Sequence, residues 1–436
     1  MASDFFYPNT GGVESHIYQL SQCLMSLGHS VVILTHAYKD RTGVRYMTRG
    51  LKVYYLPILV MYNECTLPTL YATLPLVRYI LIRERIDIVH GHSAFSALAH
   101  EAMMHGKTLG LKTVFTDHSL FGFADASAII TNKLLQMTLS LCDRVICVSH
   151  TGQENTALRA GVNPDKISVI SNAVDTQVFT PDPSKRDCDR ITIIVLSRLV
   201  YRKGVDLLAG VIPVICSLNS KVHFIVGGDG PKRIVLEEVI EHEQLQERVS
   251  LLGPVKHEDV RDLLVQGDIF LNCSLTEAFC MAIVEAAACG LQVVSTNVGG
   301  IPEVLPPDLV WLSDPSVEGL VHTLNQAIRD KESGKVVDPM QCHERIAKYY
   351  EWQDIARRTL VVYRKVEAEE TASLASRLRK LLSCGFIWGQ IFVIIALIEH
   401  VLYLFYSWLV PVETIDVALD YQEMSDVRQR KNSKIK

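Results

Sequence analysis

The sequence has no surplus of positive charge, no paired cysteines and no Gly-x-Gly-x-x-Gly run, and each absence removes a class of protein. Its 436 residues carry 43 Lys and Arg against 48 Asp and Glu, a formal net charge of −5. That balance is wrong for a dedicated nucleic-acid binder, so no nucleic-acid partner is expected. The 11 cysteines are scattered, Cys142 and Cys147 being the nearest two. No CxxC pair exists to hold zinc or to run thiol redox chemistry. The thiols read as reduced and packed like small apolar residues. Without Gly-x-Gly-x-x-Gly a dinucleotide site has no phosphate loop. There is no low-complexity stretch and no short repeat. Met1-Ala-Ser-Asp4 is not a basic segment leading into an apolar one, so no signal peptide is read there. Disorder is excluded as the main state, because 48% hydrophobic against 21% charged residues favours burial.

What is present is strand–helix alternation, twice over. Short β-branched apolar runs recur at 31–34, 52–56, 87–89, 113–116, 144–148 and 168–170, and again at 191–196, 222–226, 249–252, 268–271, 292–295 and 309–311. Runs that are continuously apolar belong to strands covered on both faces by helices. Two such series predict two doubly wound α/β domains, residues 1–180 and 181–350. The proline-rich, charged stretch 180–189 divides them. Asn272-Cys273-Ser274 has the form of a glycosylation site, but it ends an apolar run and reads as buried. Ligands of such folds sit at the carboxyl ends of the strands, so two domains would face each other across a cleft.

The far end differs. From Phe386 to Val410, 20 of 25 residues are hydrophobic and the only formal charge is Glu399. About 20 apolar residues span a bilayer as a helix, and 386–410 is predicted to be transmembrane, after a helical connector at 351–385. Arg377, Arg379 and Lys380 precede the segment, while Glu413, Asp416 and Asp420 follow it. The positive-inside rule then puts the N-terminal part in the cytoplasm and the tail, 411–436, across the membrane. Gln390, Glu399 and His400 are expected to face other protein subunits rather than lipid.

The motifs fall just after the strand-like runs. Gly11-Gly12-Val13-Glu14 opens an amphipathic segment, where paired glycines let backbone amides approach an anion. Ser197-Arg198-Leu-Val-Tyr-Arg202-Lys203-Gly204 sets two or three cations at a strand-to-helix junction, which suits a diphosphate. Gly227-Gly-Asp-Gly-Pro231 is a tight turn. Glu277 and Glu285 lie eight apart. On one helix they would be about 12 Å apart along the axis, too far for the paired carboxylates of a glycosidase, which need roughly 5–10 Å. They could instead grip different parts of one elongated ligand. Glu285, among Ile283, Val284 and Ala286–Ala288, needs a partner. Asp117-His118-Ser119 follows one strand, and His90 and His92 follow another. A metal site there would lack any carboxylate–histidine helix motif, and none is assigned.

Taken in order, GGVE (11–14), DHS (117–119), Asn172-Ala-Val-Asp175, 197–204, 228–231, 277–285 and Val298-Gly-Gly-Ile-Pro-Glu303 resemble the retaining GT-B glycosyltransferases of family 4, over residues 1 to about 350. The stretches 274–285 and 117–125, with the C-terminal apolar segment, resemble more narrowly the branch that opens glycosylphosphatidylinositol (GPI) anchor synthesis at the endoplasmic reticulum. That resemblance implies a GT-B fold, UDP-N-acetylglucosamine as donor, phosphatidylinositol as acceptor lipid and retention of configuration. It also implies further subunits of a membrane complex, met through the transmembrane helix. Arg198 and Lys203 would hold the diphosphate and stabilise it as leaving group. Glu285 would accept from ribose hydroxyls, and Glu277 would contact the donor sugar. Amides across Ala278, Phe279, Cys280 and Met281 would add anion stabilisation. His118 would sit near the sugar and the forming bond, and Gly11 and Gly12 near the donor phosphates or the acceptor. No cofactor and no metal is implied, the two cations standing in. Two departures stand out. The family's Glu-Gly-Phe-Gly is here Glu277-Ala-Phe-Cys280, and only Met1-Ala-Ser precedes Asp4 where the family has a full strand. The alternatives are another membrane-tethered UDP-sugar transferase, a GT-B-like nucleotide-sugar epimerase, and a non-catalytic scaffold subunit.

Overall fold

The computed structural model describes residues 1–9, 11–120 and 126–419, without side chains over 126–130. The end of the 117–125 run and the tail beyond 419 lie outside the described residues. The chain forms two compact units, one of residues 1–147, 153–169 and 356 onward, the other of 148–152 and 170–355. The segment read as a connector therefore packs in the first unit from Ala356.

The first unit begins with α1 (Gly12–Ser26), β1 (Val32–His36), β2 (Gly43–Tyr46), β3 (Lys52–Leu56), β4 (Val60–Tyr62), β5 (Cys65–Thr66) and α2 (Leu74–Arg83). It continues through β6 (Ile88–His92), α3 (Ala97–Thr108), β7 (Lys112–Asp117), α4 (Ala126–Leu141), β8 (Arg144–Cys147), α5 (His150–Ala160) and β9 (Ile167–Val169). Strands β6 to β9 pair in sequence order, and β1, β3 and β2 form a second strip. Ala2 bridges the strips, pairing in parallel with Leu34 and with Gly91. Ala2 N donates to His90 O at 2.9 Å, and His92 N donates to Ala2 O at 3.1 Å. Met1 to Ser3 thus occupy the place where the resemblance expects a full strand. The apolar runs are buried as their composition requires: Ile33, Val53, Val114 and Phe115 are wholly inaccessible, the condition of strands with helices on both faces.

The second unit holds β10 (Ile191–Leu196), α6 (Val205–Leu218), β11 (Val222–Gly227), α7 (Arg233–His242), β12 (Val249–Gly253), α8 (Val260–Leu264) and β13 (Ile269–Asn272). After these come α9 (Met281–Ala288), β14 (Gln292–Thr296), β15 (Val310–Ser313), α10 (Val317–Glu332) and α11 (Pro339–Tyr349). Its six strands are ordered β12-β11-β10-β13-β14-β15 and all pair in parallel. Numbered within the unit, that order is 3-2-1-4-5-6, the dinucleotide-fold order whose switch point lies between the first and fourth strands. Here those strands are β10 and β13, with Ile193 opposite Ile269. Asn272 is buried and its Nδ2 donates to Ser295 Oγ at 2.9 Å, so the Asn-Cys-Ser pattern sits inside the sheet as expected. All eleven cysteines are free.

The chain then returns to the first unit as α12 (Trp352–Ala368), α13 (Leu374–Leu382) and α14 (Phe386–Leu409). α14 is long and apolar enough to cross a membrane, with a mean hydropathy of 1.9 over its best window. One face packs on its own domain, where Phe392 and Leu381 meet Met104, Met137 and Leu141. Glu399 is 1% exposed and its Oε1 pairs with His105 Nδ1 of α3 at 2.8 Å. The expectation that Glu399 faces another subunit is corrected by this pairing: a carboxylate inside an apolar helix has taken the nearest polar group of its own chain. Past the helix, Asp416 accepts from Tyr79 Oη at 3.0 Å and pairs with Arg83, and Ala418 N donates to Arg83 O at 2.9 Å. These contacts put 416–418 beside α2, against the expectation of a tail across the membrane from the domain. Removing one partner of a buried pair typically costs about 3–5 kcal/mol. Glu399→Ala should therefore lower the thermal midpoint of the solubilised protein markedly. Glu399→Gln, which keeps an acceptor for His105, should lower it less.

Candidate functional site

The carboxyl edge of β10 and β13 gathers most of the residues that the motifs single out. The loop after β10 carries Ser197 to Lys203, and the loop after β13 carries Cys273 to Cys280. Parallel neighbours release their loops on the same side of a sheet, which is why motifs some eighty residues apart can meet. Leu275 N donates to Arg202 O at 2.9 Å. Gly204 adopts φ +68, and a Cβ built on it would lie 1.8 Å from Cys273 O, so only glycine permits this approach. The loop after β14 joins them: Gly300 N donates to Glu277 O at 2.9 Å, and a Cβ on Gly300 would lie 2.1 Å from Ala278 O.

Charge converges on the same place. Lys203 pairs with Glu277, both side chains being largely shielded from water. Ser274 Oγ lies 2.9 Å from Glu277 Oε1 and 2.8 Å from Asn272 Oδ1, which fixes the carboxylate from behind. Arg198 is exposed and, among the described residues, has no acidic side chain in ion-pair reach. Burial, and then the neighbouring Arg198, pull Arg202 below the usual guanidinium value. Three cations thus surround one carboxylate, an excess of positive charge that a diphosphate would neutralise.

The structure corrects the geometry of the glutamates. Glu277 precedes the helix, and α9 begins only at Met281, so the two carboxylates are not two turns apart on one helix. Cys280 is the N-cap, with φ 71 and ψ 83 and no side-chain cap. The family's glycine would adopt this left-handed conformation freely, whereas here a cysteine holds it. Burial pushes its thiol up to about 12, so it stays protonated. Ala278 and Phe279 are buried, and Phe279 packs edge-on against Tyr350 with ring centres 5.7 Å apart. They can offer a ligand only backbone. The first-turn amides of α9 have no intrahelical acceptor and point outward, with the dipole favouring an anion. Glu285 is half-buried and, among the described residues, has no ion-pair or hydrogen-bond partner. Burial raises its carboxyl from 4.5 to about 7. The Glu303 carboxylate serves structure instead: it accepts from His150 N at 2.6 Å and from Thr151 N at 2.9 Å, capping the start of α5.

The first unit holds the remaining candidates. Gly11 is the N-cap of α1 in extended backbone, φ −171, with no side-chain cap. Gly11 and Gly12 therefore leave first-turn amides open. His118 follows β7 and is half-buried, with Nε2 3.3 Å from His92 Nδ1. Burial, and then the adjacent His16 and His90, hold His118 well below the usual imidazole value, so it is neutral and can donate or accept. Sequence reasoning missed His16, whose ring centre lies 4.7 Å from that of His118. Its place one turn into α1, after the paired glycines, was the available signal. His90 is occupied by Tyr363 Oη at 2.6 Å and Thr116 Oγ1 at 2.7 Å.

Two parallel α/β units, one with nucleotide-fold strand order and a cation loop at its switch point, define a GT-B glycosyltransferase. The fold agrees with that of a sucrose-phosphate synthase from Thermosynechococcus elongatus, at TM-score 0.68 and 20% identity over 82% of this chain and 94% of that one. Residues 179–340 match the family described as glycosyl transferases group 1, and 36–125 match that described as PIGA (GPI anchor biosynthesis). The chain is 59% identical to the Homo sapiens PIGA-type subunit of phosphatidylinositol N-acetylglucosaminyltransferase, over 96% of this chain and 87% of that protein. It is 50% identical to the gpi3 subunit of the same transferase from Schizosaccharomyces pombe, over 96% and 92%. The chain belongs to the PIGA/GPI3 family of phosphatidylinositol N-acetylglucosaminyltransferase subunits.

Two outcomes follow from the geometry. Gly204→Ala should weaken UDP binding by at least about tenfold, because the Cβ must push the cation loop off Cys273; calorimetry on the solubilised protein reads this. Glu285 supplies a pH dependence. Its carboxyl is raised on folding, so its contribution to stability falls as pH rises from 4.5 through about 7. Ionised, it accepts hydrogen bonds from a ligand best. Glu285→Gln should flatten the stability slope and weaken UDP binding by about tenfold at pH 8 but little at pH 6, since a hydrogen bond to a charged group is worth about 1.5–3 kcal/mol.

Proposed function

We propose that this chain transfers N-acetylglucosamine from UDP-N-acetylglucosamine to phosphatidylinositol with retention, the first step of GPI-anchor synthesis, as the catalytic subunit of a membrane complex. The observation that carries the reading is the cluster of Arg198, Arg202 and Lys203 against Glu277 at the switch point of the six-stranded sheet. In this reading Arg198 and Lys203 hold the diphosphate, and amides at the start of α9, from Ala278 to Met281, complete its cradle. Lys203 must loosen from Glu277 as the donor enters, which frees the carboxylate for the sugar hydroxyls. Glu285 takes the ribose. The neutral imidazole of His118 meets the sugar beside the forming bond, and Gly11 and Gly12 offer amides to phosphate or acceptor.

The departing phosphate takes the acceptor proton, so no protein nucleophile is needed. No metal is needed either, because the cations neutralise the leaving group. The chain works at the endoplasmic reticulum, with both α/β units cytoplasmic and α14 meeting the membrane. The outward stripe of α14, from Ile387 and Ile394 to Val401 and Trp408, is exposed and apolar, which supports this attachment. Gln390 and His400 remain candidates for contact with other subunits.

The test is transfer of radiolabelled sugar to phosphatidylinositol in microsomes that express this chain in place of the endogenous one. Arg198→Ala with Lys203→Ala should lower transfer at least about 100-fold, the scale of losing preorganised charge stabilisation, while protein level and thermal midpoint stay unchanged. Undiminished transfer would remove these residues from the reaction.

A further inference from the structure

The first unit holds an imidazole cluster that the donor site does not use. His16 comes from α1, His92 ends β6 and His118 follows β7, and one ring nitrogen from each lies within 4.8 Å of the others. His92 Nδ1 and His118 Nε2 are 3.3 Å apart. Ring centres are separated by 4.7 Å for His16 and His118, 5.6 Å for His92 and His118, and 5.8 Å for His16 and His92. Two imidazole nitrogens on one tetrahedral zinc ion, each at about 2.0–2.1 Å, lie about 3.4 Å apart with ring centres about 5 Å apart. The observed spacing is therefore close to that of three ligands around one ion, and small side-chain rotations would complete it.

Burial fits as well. His16 is 4% and His92 0% exposed, whereas His118 is half-buried. That leaves one side for entry and for a fourth ligand, the open arrangement of three-histidine zinc sites. His92 Nε2 is buried without a hydrogen-bond partner, a cost that coordination at that atom would remove. His90 stacks on His92 with ring centres 4.1 Å apart and steadies it from behind. A purely imidazole donor set suits zinc, copper, nickel or cobalt and not magnesium or calcium.

We propose that His16, His92 and His118 bind one borderline transition-metal ion, zinc foremost, and that the ion inhibits sugar transfer by taking the His118 ring nitrogen away from the donor. The inhibitory part rests on the proposed sugar contact of His118; the site itself does not. The site also leaves catalysis metal-independent, since the ion competes with the substrate instead of assisting it.

The experiment uses the affinity-purified complex in detergent, chelated and then exposed to zinc chloride, with this chain wild type, His16→Gln or His92→Gln. Elemental analysis should find one more zinc per chain in the wild type than in either variant. Zinc should inhibit wild-type transfer at a concentration at least about tenfold below that needed for the variants, and chelation alone should leave transfer intact. Equal zinc retention in all three overturns the site. Zinc held without inhibition leaves the site standing and overturns the sugar contact of His118, while the transferase reading is judged separately by the double cation variant. Should a variant lose basal transfer, the wild type answers alone: zinc should shield His118 from diethyl pyrocarbonate, read by mass spectrometry, and an unshielded His118 overturns the proposal.

Discussion

The donor site depends on one close approach, that of the loop after β10 to the carbonyl of Cys273. The two strands are hydrogen-bonded parallel neighbours, so their loops emerge at the same edge, yet adjacency alone does not bring a lysine onto a carboxylate. Gly204, at φ +68 with no Cβ to meet Cys273 O, lets the cation loop lie flat on the acidic one. Lys203 then reaches Glu277, and Leu275 N closes the contact on Arg202 O. The fold supplies the edge and one glycine supplies the contact.

The electrostatics of that edge are unbalanced in a way that calls for a ligand. Lys203 and Glu277 neutralise each other, which leaves Arg198 and Arg202 as like charges side by side. An anion relieves that repulsion, and protein groups already in place need no reorganisation to receive it. Glu285 is the opposite case. It is a carboxyl among alanines and valine, raised to about 7 because nothing in its surroundings favours the charge. Hydroxyl donors from a ribose would favour it. Both features cost stability in the protein alone and are recovered on binding, the usual economy of preorganised sites.

Much of this was legible in the sequence, for identifiable reasons. Continuous β-branched runs survive as strands because both faces are buried, so every run marked from 191 to 311 reappears within a residue or two. The exposed strands β2, β4 and β5 were not foreseen: Gly43–Tyr46 is wholly solvent-facing and has no apolar pattern to betray it. Cations and carboxylates after strands were visible because the chemistry of those residue types is narrow. What the sequence could not show was the conformation between Glu277 and Met281. A helix through both glutamates reads naturally from Ala278 onward, and it fails because Cys280 turns left-handed and starts the helix late. His16 was hidden for another reason: its companions lie 76 and 102 residues away, and only the sheet order brings them together.

α14 shows how far composition can mislead about contact. By hydropathy it is a uniform apolar rod, yet its two faces differ. Phe392 and Glu399 are bound to α3, α4 and α13, whereas Ile387, Ile391, Ile394, Ile398, Val401, Phe405 and Trp408 stay exposed. Those seven recur at steps of four and three, a single stripe along the helix. A stripe of that size without a partner in the chain belongs against lipid or protein. Glu399 decides which face turns inward, since its carboxylate cannot be left in an apolar setting and His105 lies on only one side. The polar pair thus orients the helix, and whatever surface receives the stripe also holds the unit that carries Gly11, Gly12 and His118.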